Sequence, residues 1–90
     1  MINFDEFKLW LDTNTNYTKE TKSNLISRLK RANNILPVTN EPIYIFLLSQ
    51  ERAFNQLSVN VRSQLRRSVK IYTQYLESEA TVDNEQRKAN

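Results

Sequence analysis

The stretch Ser58–Leu76, SVNVRSQLRRSVKIYTQYL, decides how the rest of the chain is read. Val61, Leu65, Val69, Tyr72 and Leu76 recur at three- and four-residue steps, with Ile71 and Tyr75 beside them, which is the spacing of one apolar face on an α-helix. Ser58 stands where an N-cap belongs. The polar positions carry Arg62, Arg66, Arg67 and Lys70 and no acid. A helix with one face for a core and another that is uniformly basic asks for partner helices and for an anion.

Upstream, the same period appears again. Asn3 is an N-cap with Glu6 three residues on, in the arrangement of a capping box, and Phe4, Phe7, Trp10 and Leu11 follow at helical spacing. Asp12–Tyr17 reads as a loop of small polar residues closed by an aromatic. Thr18 caps a second helix that ends before Pro37, with Leu25, Leu29, Ala32 and Leu36 on one face and Ile26 and Ile35 at its flanks. Asn40 is then expected to cap a third helix with Pro42 in its first turn. In that helix Ile43–Leu48 is apolar all round, which predicts an element enclosed by the other three and a monomeric domain. Residues 51–55 read as a bridge, and 77–90 as a polar frayed extension, linker or tail. The expected architecture is all-α, a compact four-helix domain over residues 1–76.

Composition removes most chemistries. The 90 residues include no cysteine, histidine or glycine. Disulfides, thiolate or imidazole metal sites, a histidine general base and glycine-rich phosphate loops are therefore all excluded. With no glycine, turns that need positive φ fall to the eleven asparagines. No cofactor and no metal is implied, and an enzyme is not expected. Tyr72 and Tyr75 belong to the apolar seam rather than to a nucleophile. Phe4, Phe7 and Trp10 read as core rather than as a base-stacking platform, and Asp5 with Glu6 as a helix-start signal. Glu85, Arg87 and Lys88 lack the partnering acid a nuclease would need. The longest apolar run, Ile43–Leu48, is far short of the roughly twenty residues that span a bilayer. No signal-peptide pattern opens the chain, so the expectation is a cytoplasmic protein without a membrane partner.

The net charge is +3 and the pI about 9.4. Its distribution says more than its size. Lys19, Lys22, Arg28, Lys30 and Arg31 against Glu20 give the second helix +4, and Arg62, Arg66, Arg67 and Lys70 give the last helix another +4, while the remaining segments are acidic. Arg62, Arg66 and Lys70 lie four residues apart, so they share a face, read as opposite the Val61 seam, although like charges at that spacing repel by a few tenths of a kcal/mol per pair. A solvated face that happens to be basic is one reading. A phosphate-facing ridge, with Ser63 and Gln74 as neutral donors, is the other, and it is favoured because the second helix repeats the bias. There Lys19, Ser23, Lys30 and Arg31 share the polar side, and Thr18 and Lys19 stand at a helix N-terminus, where free amides favour anions.

These features together resemble a known family. A first helix ending in Phe7, Trp10 and Leu11, then Tyr17-Thr18-Lys19-Glu20-Thr21 opening a second, a short hydrophobic helix, and Leu57-Ser58 opening a basic last helix that ends in Ile71-Tyr72 and Tyr75-Leu76 are similar to the N-terminal core-binding domain of tyrosine recombinases, the phage integrase family. The likeness covers residues 4–76. It implies a SAM-like orthogonal bundle that forms one arm of a clamp around duplex DNA through its second and fourth helices. It carries Lys19, Lys22, Lys30, Arg62, Arg66, Arg67 and Lys70 over as DNA-facing residues. The family's catalytic domain, with its arginines, histidine and tyrosine nucleophile, is absent, so the chain is expected to be either an excised arm whose residues 77–90 begin a linker to a missing catalytic domain, or a relative that binds without cutting. A small protein-interaction or regulatory domain of phage or mobile-element origin, dimeric in one version, is the alternative.

Overall fold

A computed structural model describes residues 2–89, and the side chains of residues 2–79. Asn90 and the side chains of Glu85, Arg87 and Lys88 lie outside the described residues. The architecture is all-helical: α1 Phe4–Asn14, α2 Lys19–Ile35, α3 Tyr44–Ser49, α4 Arg52–Asn55 and α5 Val59–Ala89. Five helices among the described residues correct the expected four, because the bridge after α3 forms a helical turn of its own.

Three helix starts follow from local chemistry. Asn3 accepts the Glu6 amide at 3.1 Å, Thr18 accepts the Thr21 amide at 3.1 Å, and Ser58 accepts the Val61 amide at 3.2 Å. Each satisfies an amide that the first turn leaves without an intrahelical partner. The end of α1 departs from expectation: Asp12, Thr13 and Asn14 are helical, not loop. Thr13 and Asn14 turn their side chains back to the carbonyls of Leu9 and Trp10, at 3.0 Å each, so their polar groups are satisfied within the last turns of the helix. α1 and α2 both end on residues in extended geometry, Thr15 and Leu36. No described residue has a positive φ. Asparagine was therefore not needed for left-handed turns, because these caps leave the helix through the β region instead.

The start of α3 is also corrected. Asn40 does not cap it and Pro42 is not in its first turn; the helix begins at Tyr44 after a turn in which the Tyr44 amide bonds Glu41 O at 3.0 Å. Tertiary anchoring sets this boundary. The Tyr44 hydroxyl donates to Leu36 O at 2.7 Å, and Asn33 accepts the Val38 amide at 2.9 Å, which ties the α2–α3 connection to the end of α2. Burial raises the Tyr44 pKa to about 12.

The core gathers Leu25, Leu29 and Ala32 of α2, Leu65, Val69, Ile71, Tyr72 and Tyr75 of α5, and Phe7 and Leu11 of α1, closed by Tyr44, Leu48 and Phe54. Phe7 is fully buried, its ring 5.3 Å from Tyr72 in perpendicular contact and 5.5 Å from Tyr75. Such aromatic pairs add about 0.5–1.5 kcal/mol beyond the area they bury. The enclosed third helix is not what forms: Tyr44 and Leu48 face inward, but Ile43, Phe46 and Leu47 are 50%, 60% and 43% exposed. A six-residue helix has one inward face, and Tyr44 and Leu48 occupy it.

Phe7→Ala should destabilise the domain by about 3–5 kcal/mol, since it empties the centre of the aromatic cluster. Leu9→Ala, at a position 65% exposed, should stay within about 0.5 kcal/mol. Urea unfolding of the two variants measures both. Equal losses would show that α1 is not held by Phe7.

Candidate functional site

The basic side chains predicted from sequence fall into two groups on the folded chain. The first lies between α1 and α2, where Lys19, Lys22, Ser23 and Lys30 line an open groove of about 440 Å³ over an apolar floor of Phe4 and Ile26. Lys8 reaches the same groove from α1, and Asp5 and Asp12 border it. Arg31 is exposed on α2 but does not line this groove.

Two lysines of the groove have defined positions. Lys22 Nζ bonds Asp12 Oδ1 at 2.8 Å and links α2 to α1. Lys30 Nζ sits 5.2 Å from the centre of the Phe4 ring, a cation–π placement that fixes its ammonium at the Phe4 end of the groove. The Lys22 hydrogen bond holds the Asp12 carboxyl below the usual carboxylate range, and the charges of Lys22 and Lys8 act in the same direction.

The second group is on α5. Arg62 and Arg66 are half-buried at the edge of the seam, Lys70 and Ser63 are exposed, and the row thus climbs out of the interface instead of standing opposite it. Arg62 Nε is enclosed without a hydrogen-bond partner among the described residues. The Arg66 guanidinium lies 5.8 Å from the Phe54 ring of α4. Lys70 lines a cleft between α5 and the approach to α3, with Glu41 and Glu77 on its walls. Arg67 is directed elsewhere, 5.9 Å from the Tyr17 ring, next to the residues that open α2. The fold thus brings four of the predicted residues together in the α1–α2 groove and sets Arg66 and Lys70 beside α4 and α3, with Arg67 beside Tyr17 just before α2.

Sequence reasoning missed Lys8. It belongs to a net-acidic segment, and only the packing of α1 against α2 reveals it as a neighbour of Lys19 and Lys22. Its spacing of four residues from Asp12 was the sole local signal, since that places both on one side of α1. Tyr75 donates to Glu6 Oε2 at 3.4 Å, and burial first, then the Glu6 charge, pushes its pKa up; it serves the core rather than chemistry. Among the described residues, no group of three or more acids comes together as a metal site would require, and no helix is long and apolar enough to cross a membrane. No family model, no curated protein and no solved structure matches the chain.

Because the folded pKa of Asp12 is depressed below its ordinary 3.8, the contribution of the Lys22 pair to stability is present above that value and lost as pH falls through the folded pKa. Carboxyl NMR titration should show Lys22→Gln returning Asp12 toward its ordinary value. An unmoved Asp12 titration would mean that the pair is not formed in solution.

Proposed function

We propose that this domain is a non-catalytic DNA-binding module that contacts duplex DNA through basic side chains of α2 and α5, as a recombinase core-binding arm would. The observation that carries this reading is unneutralised charge. Of the cations Lys19, Lys22, Lys30, Arg31, Arg62, Arg66, Arg67 and Lys70, only Lys22 makes an ion pair among the described residues. A surface selected for stability alone would more often interleave acids at helical spacing, and these two helices carry Glu20 as their single acid before Glu77. Lysines and arginines directed at phosphate supply affinity and position with little sequence information. The SAM-like arrangement and the kinship to recombinases rest on the sequence resemblance. A cytoplasmic setting is part of the same proposal.

Binding to a fluorescent duplex should weaken tenfold or more between about 50 and 200 mM salt, as release of counterions from several phosphates requires. No binding at the lower salt with high-micromolar protein would refute the proposal for the isolated domain.

A second reading is favoured by the exposure of Phe46 and Leu47 on α3 and of Ile43 just before it. In this reading the patch docks a second copy of the chain. The residues flanking it in sequence carry both signs, Glu41 and Glu51 with Arg52. A two-fold partner can set acid against base there, whereas a strongly charged ligand meets like charges. Three apolar side chains are far short of the ~800 Å² per partner of a standard interface, so the pairing is weak. Light scattering over a concentration series should show self-association that Phe46→Glu abolishes while circular dichroism is unchanged. A monomer at every concentration sinks this reading and restores the monomer expected from sequence.

A further inference from the structure

The two basic surfaces are not equivalent. Four lysines against two aspartates leave the lining of the α1–α2 groove with a net charge of +2. The cleft that holds Lys70 has Glu41 and Glu77 on its walls, for a net charge of −1. A concave surface of one sign focuses potential, whereas a cation among carboxylates presents little of it to an approaching polyanion. Availability points the same way. Arg62 and Arg66 are half-buried and only Arg67 and Lys70 of the predicted α5 cations are exposed, while Lys8, Lys19 and Lys30 are all exposed and converge from two helices, Lys30 against the Phe4 ring.

The groove also contains its own anion. Asp12 occupies Lys22 at 2.8 Å, in the position a phosphate oxygen would take, and its carboxylate is about half exposed. A phosphate entering the groove competes with Asp12 for that ammonium. Asp5, at the Phe4 end, makes no ion pair among the described residues and opposes the same ligand by charge alone.

We infer that the α1–α2 groove is the principal seat of the DNA backbone, with Lys8 as an additional phosphate contact and Asp12 as an internal competitor that restrains Lys22. The inference rests on the DNA-binding proposal above and assigns its weight to one surface. It makes α1, the most acidic helix by sequence, part of the contact. It also makes binding weaker than the lysine content permits, since Asp12 withholds one lysine from the ligand.

The test is a set of titrations of the whole domain against one duplex at several salt concentrations, with a thermal melt of each variant. Asp12→Asn should bind at least about threefold more tightly at low salt, and its salt dependence should steepen by about 0.9 in log–log slope, the value of one added phosphate contact. Asp5→Asn should also bind more tightly, without a change of slope, and it decides the matter if Asp12→Asn fails to fold. The pair Lys8→Gln with Lys19→Gln should lose more affinity than the pair Arg66→Gln with Lys70→Gln, with a slope shallower by about 0.9 for each contact removed. If the unmodified domain binds but the folded acid variants are no tighter, or the α5 pair loses as much as the groove pair, the groove assignment is overturned and the DNA-binding proposal survives. If the unmodified domain does not bind at low salt, both fall.

Discussion

The apolar faces of α2 and α5 must be buried against each other, and most of the molecule follows from meeting that requirement. Leu25, Leu29 and Ala32 on one side and Leu65, Ser68 and Val69 on the other are almost completely enclosed. Ser68 is polar there, but its hydroxyl donates to Gln64 O at 3.1 Å, so its own donor is satisfied. Two helices alone cannot close such a core. α1 covers it along one side with Phe7 and Leu11, and α3 and α4 cover it elsewhere with Tyr44, Leu48 and Phe54. Because α1 lies against α2, its polar side and the lysines of α2 form the two walls of a groove. The candidate site is thus a by-product of how the core is closed.

That dependence explains what could be read from the chain and what could not. The caps at Asn3, Thr18 and Ser58 are local: a side chain meets an amide three residues on, and spacing alone reveals it. The seam of α5 and the inward face of α2 repeat over enough turns to be unmistakable. The boundary of α3 was out of reach because it is set by Tyr44 reaching back to Leu36, a contact between different elements. Its burial was misjudged for a related reason, since six apolar residues in a row carry no period that marks which of them face inward.

The candidate site divides along the same line. The basic bias of α2 and α5 is a property of composition and spacing and was legible. That Lys19, Ser23 and Lys30 would meet Lys8 and Asp12, while Arg31 would not, depends on where α1 docks. Likewise Arg66 and Arg67 are adjacent in sequence, yet one lies by Phe54 of α4 and the other by Tyr17 before α2. Helix geometry separates neighbouring residues by about 100°, so a pair of arginines reads as one basic feature until the surrounding helices are in place.

The turns without positive φ have an energetic consequence for so small a protein. A chain of this length with average composition would hold about six glycines, each the most flexible residue available to an unfolded backbone. At compatible sites, replacing glycine by a residue with a Cβ stabilises by roughly 0.4–1 kcal/mol, because the unfolded ensemble has fewer conformations to give up. Six such positions amount to roughly 2–6 kcal/mol, against a total stability of about 5–15 kcal/mol for an ordinary domain. By leaving its helices through extended residues such as Thr15 and Leu36, the chain avoids the need for glycine and gains stability from a stiffer denatured state, without burying any further surface.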